Sequence, residues 1–343
     1  MATRLRQKLR MLRVALRLRL KRQRLIWRCF RARHQLRRVA DRTGQIAPGD
    51  ILAFACVRNE AQRLPWFLAH HRALGVRHFL IIDNASDDGT AEMLAAQPDC
   101  SVWHTAASYK ATRFGLDWVG WLLMHYGHGH WCLTLDADET FIYPGHDTRP
   151  LAALTAELQA AGRVAYDALM LDMFPKGPLQ AQAYAPGDDP FATLCWFDAD
   201  NYTVLHKPLL RAQWVQGGAR ARAFFAHEPR RAPTLNKIPL VKWHRRYAYV
   251  NSTHTLLPRW LNQMYDAGGR PLASGVLLHA KFLPGIIDKS REEKARREHF
   301  GDPAAFDGYY DGLIADPDLW HPGAARYAGW RQLVALGLMH EGH

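Results

Sequence analysis

Four short apolar runs, each closed by polar residues and separated by helical patterns, constrain this chain more than any other feature. Ile51–Val57 runs into Arg58, Asn59 and Glu60. His78–Ile82 ends at Asp83. Cys100–His104 is the third run, and Trp131–Leu135 ends at Asp136. Between and after them, Leu64–Leu74 (with Gly75 as its stop), Ala91–Ala96, Phe114–Tyr126 and Leu151–Ala161 carry helical spacing. Strands of five to seven residues alternating with helices predict βαβ units and a mainly parallel, Rossmann-like sheet flanked by helices. Ligands of such sheets bind beyond the carboxyl ends of the strands. Asn59 and Glu60, Asp83 and Asn84, and Asp136 and Asp138 all fall at such ends, so three strand ends point to one site.

At 343 residues and 48% hydrophobic, the chain can bury a substantial core. No run approaches the roughly 18 apolar residues of a membrane-spanning helix. No apolar stretch with a small-residue cleavage site follows Met1, so no secretory leader is expected. The five cysteines are Cys29, Cys56, Cys100, Cys132 and Cys195, far apart and without a C-x-x-C. That excludes a thiolate zinc site, speaks against a disulfide framework, and predicts buried free thiols in a reducing cytoplasm.

The net charge of +13 belongs to one end. Residues 1–45 hold fourteen Arg and two Lys against the single acid Asp41, which leaves the rest of the chain slightly acidic. Leu5, Leu9, Leu12, Leu16 and Leu20 recur at helical spacing, so this segment reads as a basic amphipathic helix. Such a helix fits an anionic membrane surface, with Trp27 and Phe30 at the headgroup level. Packing on a partner protein, or plain solvation, is the alternative. Nucleic acid is the least favoured partner, because no recognition motif accompanies the arginines. Thr43–Asp50 is turn-rich and marks a boundary. Residues 172–235 are irregular. Trp196, Phe197, Tyr202, Trp214, Phe224 and Phe225 there either stack on a flat ligand or fill a core. Residues 286–312 read as a charged, solvated helix.

Asp136-Ala137-Asp138-Glu139 follows an apolar strand. Carboxylates two apart beyond a strand can converge on a hard divalent cation, which completes its shell with phosphate oxygens and water. The site then suits a diphosphate ligand, with the metal offsetting charge on a leaving diphosphate. The plainer reading is that Asp138 or Glu139 caps a following helix.

Val57-Arg58-Asn59-Glu60, His70-His71-Arg72-Ala73-Leu74-Gly75, Asp83-Asn84-Ala85-Ser86-Asp87-Asp88-Gly89-Thr90 and Asp136-Ala137-Asp138-Glu139 together resemble the family 2 glycosyltransferases. The resemblance is clear over about residues 50–145 and weaker over 236–340; residues 1–45 fall outside it. It implies a GT-A fold behind the basic N-terminal helix, with a nucleotide-sugar-binding half at 46–150 and an acceptor-side half at 151–343. It implies a nucleotide-diphosphate sugar donor, a divalent metal (Mn2+ or Mg2+), and transfer with inversion. By position, Val57, Arg58, Asn59 and Glu60 would line the nucleotide pocket, and Asp83, with Asn84, would hold base or ribose. Asp136 and Asp138 would take metal and diphosphate. Arg113 matches a basic position facing the donor, with Lys110 as companion.

His279 closes the apolar run Val276–Leu278, and a neutral imidazole can ligate Mn2+; a satisfied structural histidine is the alternative. His254 is a second candidate. Lys237, Lys242 and Lys281 would contact diphosphate or an acidic acceptor, or be solvated. Inversion needs a base for the acceptor hydroxyl. Asp198, Asp200 and Glu228 are in range, none in the family's usual setting, and Glu228 is preferred for its polar His227-Glu228-Pro229 cluster. The function expected is metal-assisted transfer of a sugar to a glycan or lipid-linked acceptor in cell-surface polysaccharide assembly, at the cytoplasmic face of the membrane. A sugar nucleotidyltransferase is the first alternative, weakened because VRNEAQRL has no glycine for a phosphate loop. A non-catalytic nucleotide-sugar-binding module is the second.

Overall fold

A computed structural model describes residues 2–266, 269–298 and 306–342. Its centre is a nine-stranded sheet. The strands, in chain order, are β1 (Arg37–Ala40), β2 (Ile51–Val57), β3 (His78–Asp83), β4 (Cys100–His104), β5 (Trp131–Thr134), β6 (Glu139–Ile142), β7 (Ala165–Asp172), β8 (Asn236–Lys242) and β9 (Gly275–His279). Across the sheet they lie β1-β4-β3-β2-β5-β8-β7-β9-β6. The pairs β4-β3, β3-β2, β2-β5 and β7-β9 are parallel, while β1, β8 and β6 run against their neighbours. Six strands therefore point one way. This is the α/β architecture expected, a mainly parallel sheet flanked by helices and preceded by a basic N-terminal helix.

The helices used below are α1 (Ala2–Ala32), α2 (Leu64–Leu74), α3 (Thr90–Ala95), α4 (Leu116–His125), α5 (Leu151–Ala160) and α6 (Ile286–Arg296). β3, and β2 except for the half-buried Cys56, are buried along their length, as continuous apolar runs between two helical layers must be. One face packs on α2 through Leu64, Phe67 and Leu68, with Leu154 and Leu158 of α5 on the same side. The other packs on α4 through Trp118, Leu122 and Leu123. α2 ends where expected, with Gly75 at a φ of 109°, a left-handed cap that costs glycine no Cβ clash.

Three elements depart from the sequence expectations. Residues 37–40, read as part of the arm, form the antiparallel edge strand β1 against β4. Their Arg-Arg-Val-Ala has no apolar alternation because the strand is exposed at the sheet edge. α1 lies on α4 instead of standing free. Arg28 bonds Asp117 at 2.8 Å, Trp118 Nε1 donates to Gln35 at 2.6 Å, and Phe30 meets Trp121 edge-on. A Cβ on Gly120 would sit 2.6 Å from Cys29 Sγ, so the two helices approach this closely because Gly120 has none. The charged segment 286–296 is helical but not merely solvated: Ile286, Ile287 and Ser290 are buried, and its charged side faces the site described next.

All five cysteines are free; Cys29, Cys100 and Cys132 are buried and Cys56 and Cys195 half-buried. Phe197 and Phe225 fill core, whereas Trp214 lines the cavity described next. Among the described residues no helix is long and apolar enough to cross a membrane.

Candidate active site

Strand direction decides which side chains meet. β2, β3, β5, β7 and β9 all deliver their carboxyl ends to one edge, and the reversed β8 and β6 begin there. Val57, Asp136, Glu139, Asp172, Lys237 and His279 are thereby gathered from six strand ends. A cavity of about 510 Å3 opens at that edge.

Of the residues singled out in the sequence, Val57, Arg58, Glu60, Asn84, Asp136, Asp138 and His279 line it, as do His254, Lys237 and Lys281. Others do not. Asp83 is fully buried beside the cavity, bonded to His104 Nδ1 at 3.0 Å and to the Ser86 N–H. Asn59 supports the turn: its φ of 51° is left-handed, its side-chain oxygen accepts from the Asp87 N–H, and its own N–H donates to Ser86. Lys110 donates its backbone N–H to Glu298.

Arg113 is turned into the fold. Its guanidinium bonds Asp117, the carbonyls of Tyr249 and Val250, and Cys29 Sγ, so it clamps α1 and the 248–251 strand onto α4. Glu228, the preferred base, lies outside the cavity and pairs with Arg231 across an exposed turn. The polarity of His227-Glu228-Pro229 reflects a solvated turn and no convergence on the site.

At the centre a chain of charges crosses three strands. Arg220 Nε bonds Asp172 Oδ2 at 2.8 Å; Asp172 Oδ1 lies 2.7 Å from His279 Nδ1; His279 Nε2 lies 3.1 Å from Asp138 Oδ2. Asp172 is buried, and although burial raises a carboxyl, the Arg220 and His279 contacts hold it well below the usual range. Asp138 is likewise held well below it, burial being outweighed by His279. His279 is raised above 6.5: burial opposes its charge, and the two carboxylates more than offset that.

Beside this chain sits a second cluster. Lys237 Nζ bonds Asp136 Oδ2 at 2.7 Å and also Glu139 Oε1. Burial lowers a lysine, but the two carboxylates hold Lys237 above its ordinary value. Glu139, fully buried, is pushed up to about 7, mainly by burial. Glu139 therefore caps no helix; it starts β6 and accepts from the Asp136 N–H.

Whether these residues suit a divalent metal follows from the donor set. With Nδ1–H given to Asp172, the His279 Nε2 and the Asp138 carboxylate form a nitrogen–oxygen pair on rigid strand ends, with a carboxylate behind the imidazole. That is the usual supporting arrangement for a ligating histidine. Two protein ligands leave the other positions to phosphate oxygens and water. The expected third ligand, Asp136, is instead engaged by Lys237, and no cluster of three or more metal-holding side chains occurs among the described residues. The fit is thus to Asp138 and His279.

The cavity rim is basic. Lys281, pushed down to about 8 chiefly by burial, lines it with Arg63, Arg220, Lys289 and Arg296. Arg63 and Lys289 both bond Glu60. Glu293, from α6, lines the cavity too and pairs with Arg296 at 2.7 Å; burial outweighs that arginine and raises it above the usual carboxyl range.

Sequence reasoning missed Asp172 and Arg220. Asp172 was signalled, because it closes the apolar strand Ala165–Asp172 just as Asp83 and Asp136 close theirs. Arg220, in the short helix Gly218–Phe224, carries no local signal.

Comparison with known proteins adds little. No family model matches the sequence, and no curated protein matches it. Among solved structures, the mannosyltransferase PcManGT from Pyrobaculum calidifontis, in complex with GDP-Man and Mn2+, is 14% identical, covering 88% of this chain and 80% of that one at a TM-score of 0.33. A putative glucose-1-phosphate thymidylyltransferase from Bacillus anthracis, in complex with a sucrose, is 8% identical over 76% and 82% of the two chains, with a TM-score of 0.29. A 4-diphosphocytidyl-2C-methyl-D-erythritol synthase is 18% identical over 41% and 68%, with a TM-score of 0.24. At such TM-scores these likenesses are too slight to bear on the function.

Proposed function

We propose that the chain is an inverting glycosyltransferase of family 2 type, moving a sugar from a nucleotide-diphosphate donor to a glycan or lipid-linked acceptor in cell-surface polysaccharide assembly. The observation that carries this reading is the Asp138–His279–Asp172–Arg220 chain at the edge of a 510 Å3 cavity with a basic rim. A divalent metal, Mn2+ or Mg2+, held by Asp138 and His279, would supply Lewis-acid neutralisation of the diphosphate.

The protein's own groups divide the remaining work. Arg220 and Asp172 fix the His279 ring, and Lys237 holds the Asp136 carboxylate at the cavity mouth. Lys281 and Lys289 present positive charge to phosphate oxygens. Val57, Arg58 and Asn84, at the ends of β2 and β3, border the nucleotide side, and Asp83 orders that side from behind through Ser86. With Glu228 outside the cavity, Glu293 is the carboxylate we assign to the acceptor proton: it lines the cavity, and burial gives it a proton affinity above an ordinary glutamate's.

Calorimetric titration with a panel of nucleoside diphosphates, with Mn2+ and then with EDTA, tests the reading. One nucleotide binding only with metal, and lost in Asp138→Ala, is the expected result. Metal-independent binding, or no binding by folded protein, overturns it. Donor turnover then separates transfer from nucleotidyl chemistry and from mere binding.

A further inference from the structure

α1 has two apolar faces, and only one is used. At 100° per residue, Leu18, Leu25, Cys29 and Ala32 fall together. Leu25 packs on Ala248, Val250 and Leu257, with Leu18, Ile26 and Leu210 around them, and Ala32 joins the core beneath α4. Leu9, Leu12, Leu16, Leu20 and Trp27 fall on the opposite side, and all five are exposed, Leu12 at 67%. This second face contains the stripe legible in the sequence; the Leu5 side chain lies outside the described residues.

Between the two faces, on one flank, lies a cleft of about 450 Å3 lined by Arg19, Arg22, Gln23, Ile26 and Arg246. Three guanidinium groups and no carboxylate line it. Arg22 Nε is buried there without a hydrogen-bond partner. Its N–H is therefore free to donate to an acceptor that enters the cleft. A phosphate ester fits: guanidinium forks match its oxygens and its charge.

We propose that this cleft binds the phosphate of an anionic membrane lipid while the leucine face enters the interface. The two features sit at the depths such binding requires. A helix lying in the interface buries its apolar face roughly 5–10 Å, which brings groups on its flank to the headgroup phosphates. The opposite flank is also basic, with Arg13, Arg17, Arg24 and Arg31, so the stripe is bordered by positive charge on both sides. Trp27 stacks on Phe30 at 5.6 Å at the end of the stripe, the aromatic pair an interfacial helix favours. A nucleic acid would use the arginines and leave the leucines in water. A partner helix covering the stripe would leave Arg22 unmatched. The proposal is independent of the reaction assigned above.

The test is co-sedimentation of the full-length protein with vesicles of phosphatidylcholine alone or with about one-third phosphatidylglycerol. Two variants act on exposed side chains outside the active site: Leu12→Glu with Leu16→Glu for the stripe, and Arg246→Glu for the cleft. Arg331→Glu, on the exposed surface away from α1, makes the same change in net charge. Binding to the anionic vesicles only is expected. The stripe and cleft variants each weaken it at least about tenfold at unchanged thermal stability, and Arg331→Glu stays within about twofold. Soluble glycerophosphate and duplex DNA serve as competing probes. The proposal is overturned if the leucine variant binds vesicles like the wild type. It is also overturned if Arg246→Glu is no worse than Arg331→Glu, or if glycerophosphate or DNA binds as tightly as the anionic vesicles.

Discussion

Lys237→Met removes the single cation between Asp136 and Glu139. The Lys237 side chain is 4% exposed, and Glu139 is completely buried, whereas Asp136 is 56% exposed at the cavity mouth. Asp136 can therefore fall back on water, but Glu139 cannot. Breaking one side of a buried ion pair costs about 3–5 kcal/mol. An unfolding entropy of roughly 2.1 cal/mol/K per residue gives about 0.7 kcal/mol/K for a chain of this length. Lys237→Met should then lower Tm by about 4–7 °C in a calorimetric scan.

The companion variant Glu139→Gln isolates the cause. Its amide oxygen can still accept from the Asp136 N–H, as Glu139 does at 3.1 Å, and it needs no cation. The double variant Lys237→Met/Glu139→Gln should recover to within about 2 °C of the wild type. A shift under about 1 °C for the single variant, or a double variant as unstable as the single, refutes the reasoning.

Other expectations concern separate parts of the molecule. Burial lowers His70 to about 4 and His71 well below 6.5, so the unfolded chain binds protons that the native protein refuses. Stability is full above about pH 6.5 and falls as pH drops from there toward 4, by about 3 kcal/mol for His70 alone; a Tm constant from pH 7.5 to 4.5 contradicts this. Gly120→Ala forces a methyl against Cys29 Sγ and should cost about 1–3 kcal/mol, and adding Cys29→Ala should restore most of it; proteolysis of residues 1–42 reports the loosened α1. Glu228→Gln should leave donor turnover within about twofold, since it lies at the surface outside the cavity, whereas Glu293→Gln should reduce turnover at least about a hundredfold with little change in donor binding. Equal rates for the two variants would remove Glu293 from the reaction.

What the sequence alone determined is local. β2 to β5, with the helices α2 to α5 around and after them, fall where apolar runs, a glycine cap and helical spacing put them, because burial on both faces of a parallel sheet leaves a continuous apolar signature. The same pattern marked Asp136, Asp138 and His279 as strand-end residues, and Asp172 carried it unread. The tertiary structure decided which of these meet. Asp138 and His279 are joined across 141 positions, and Lys237 reaches Asp136 across 101. Those pairings depend on sheet order and on β8 running in reverse, which no local spacing records. The same holds for Arg113, whose charge reads as donor-facing until tertiary packing brings it the carbonyls of Tyr249 and Val250 and the Cys29 sulfur. In α1 the sequence showed the leucine stripe correctly but not that the opposite face would dock. Helical periodicity reports that a face is apolar, and only the neighbouring chain says whether that face is covered.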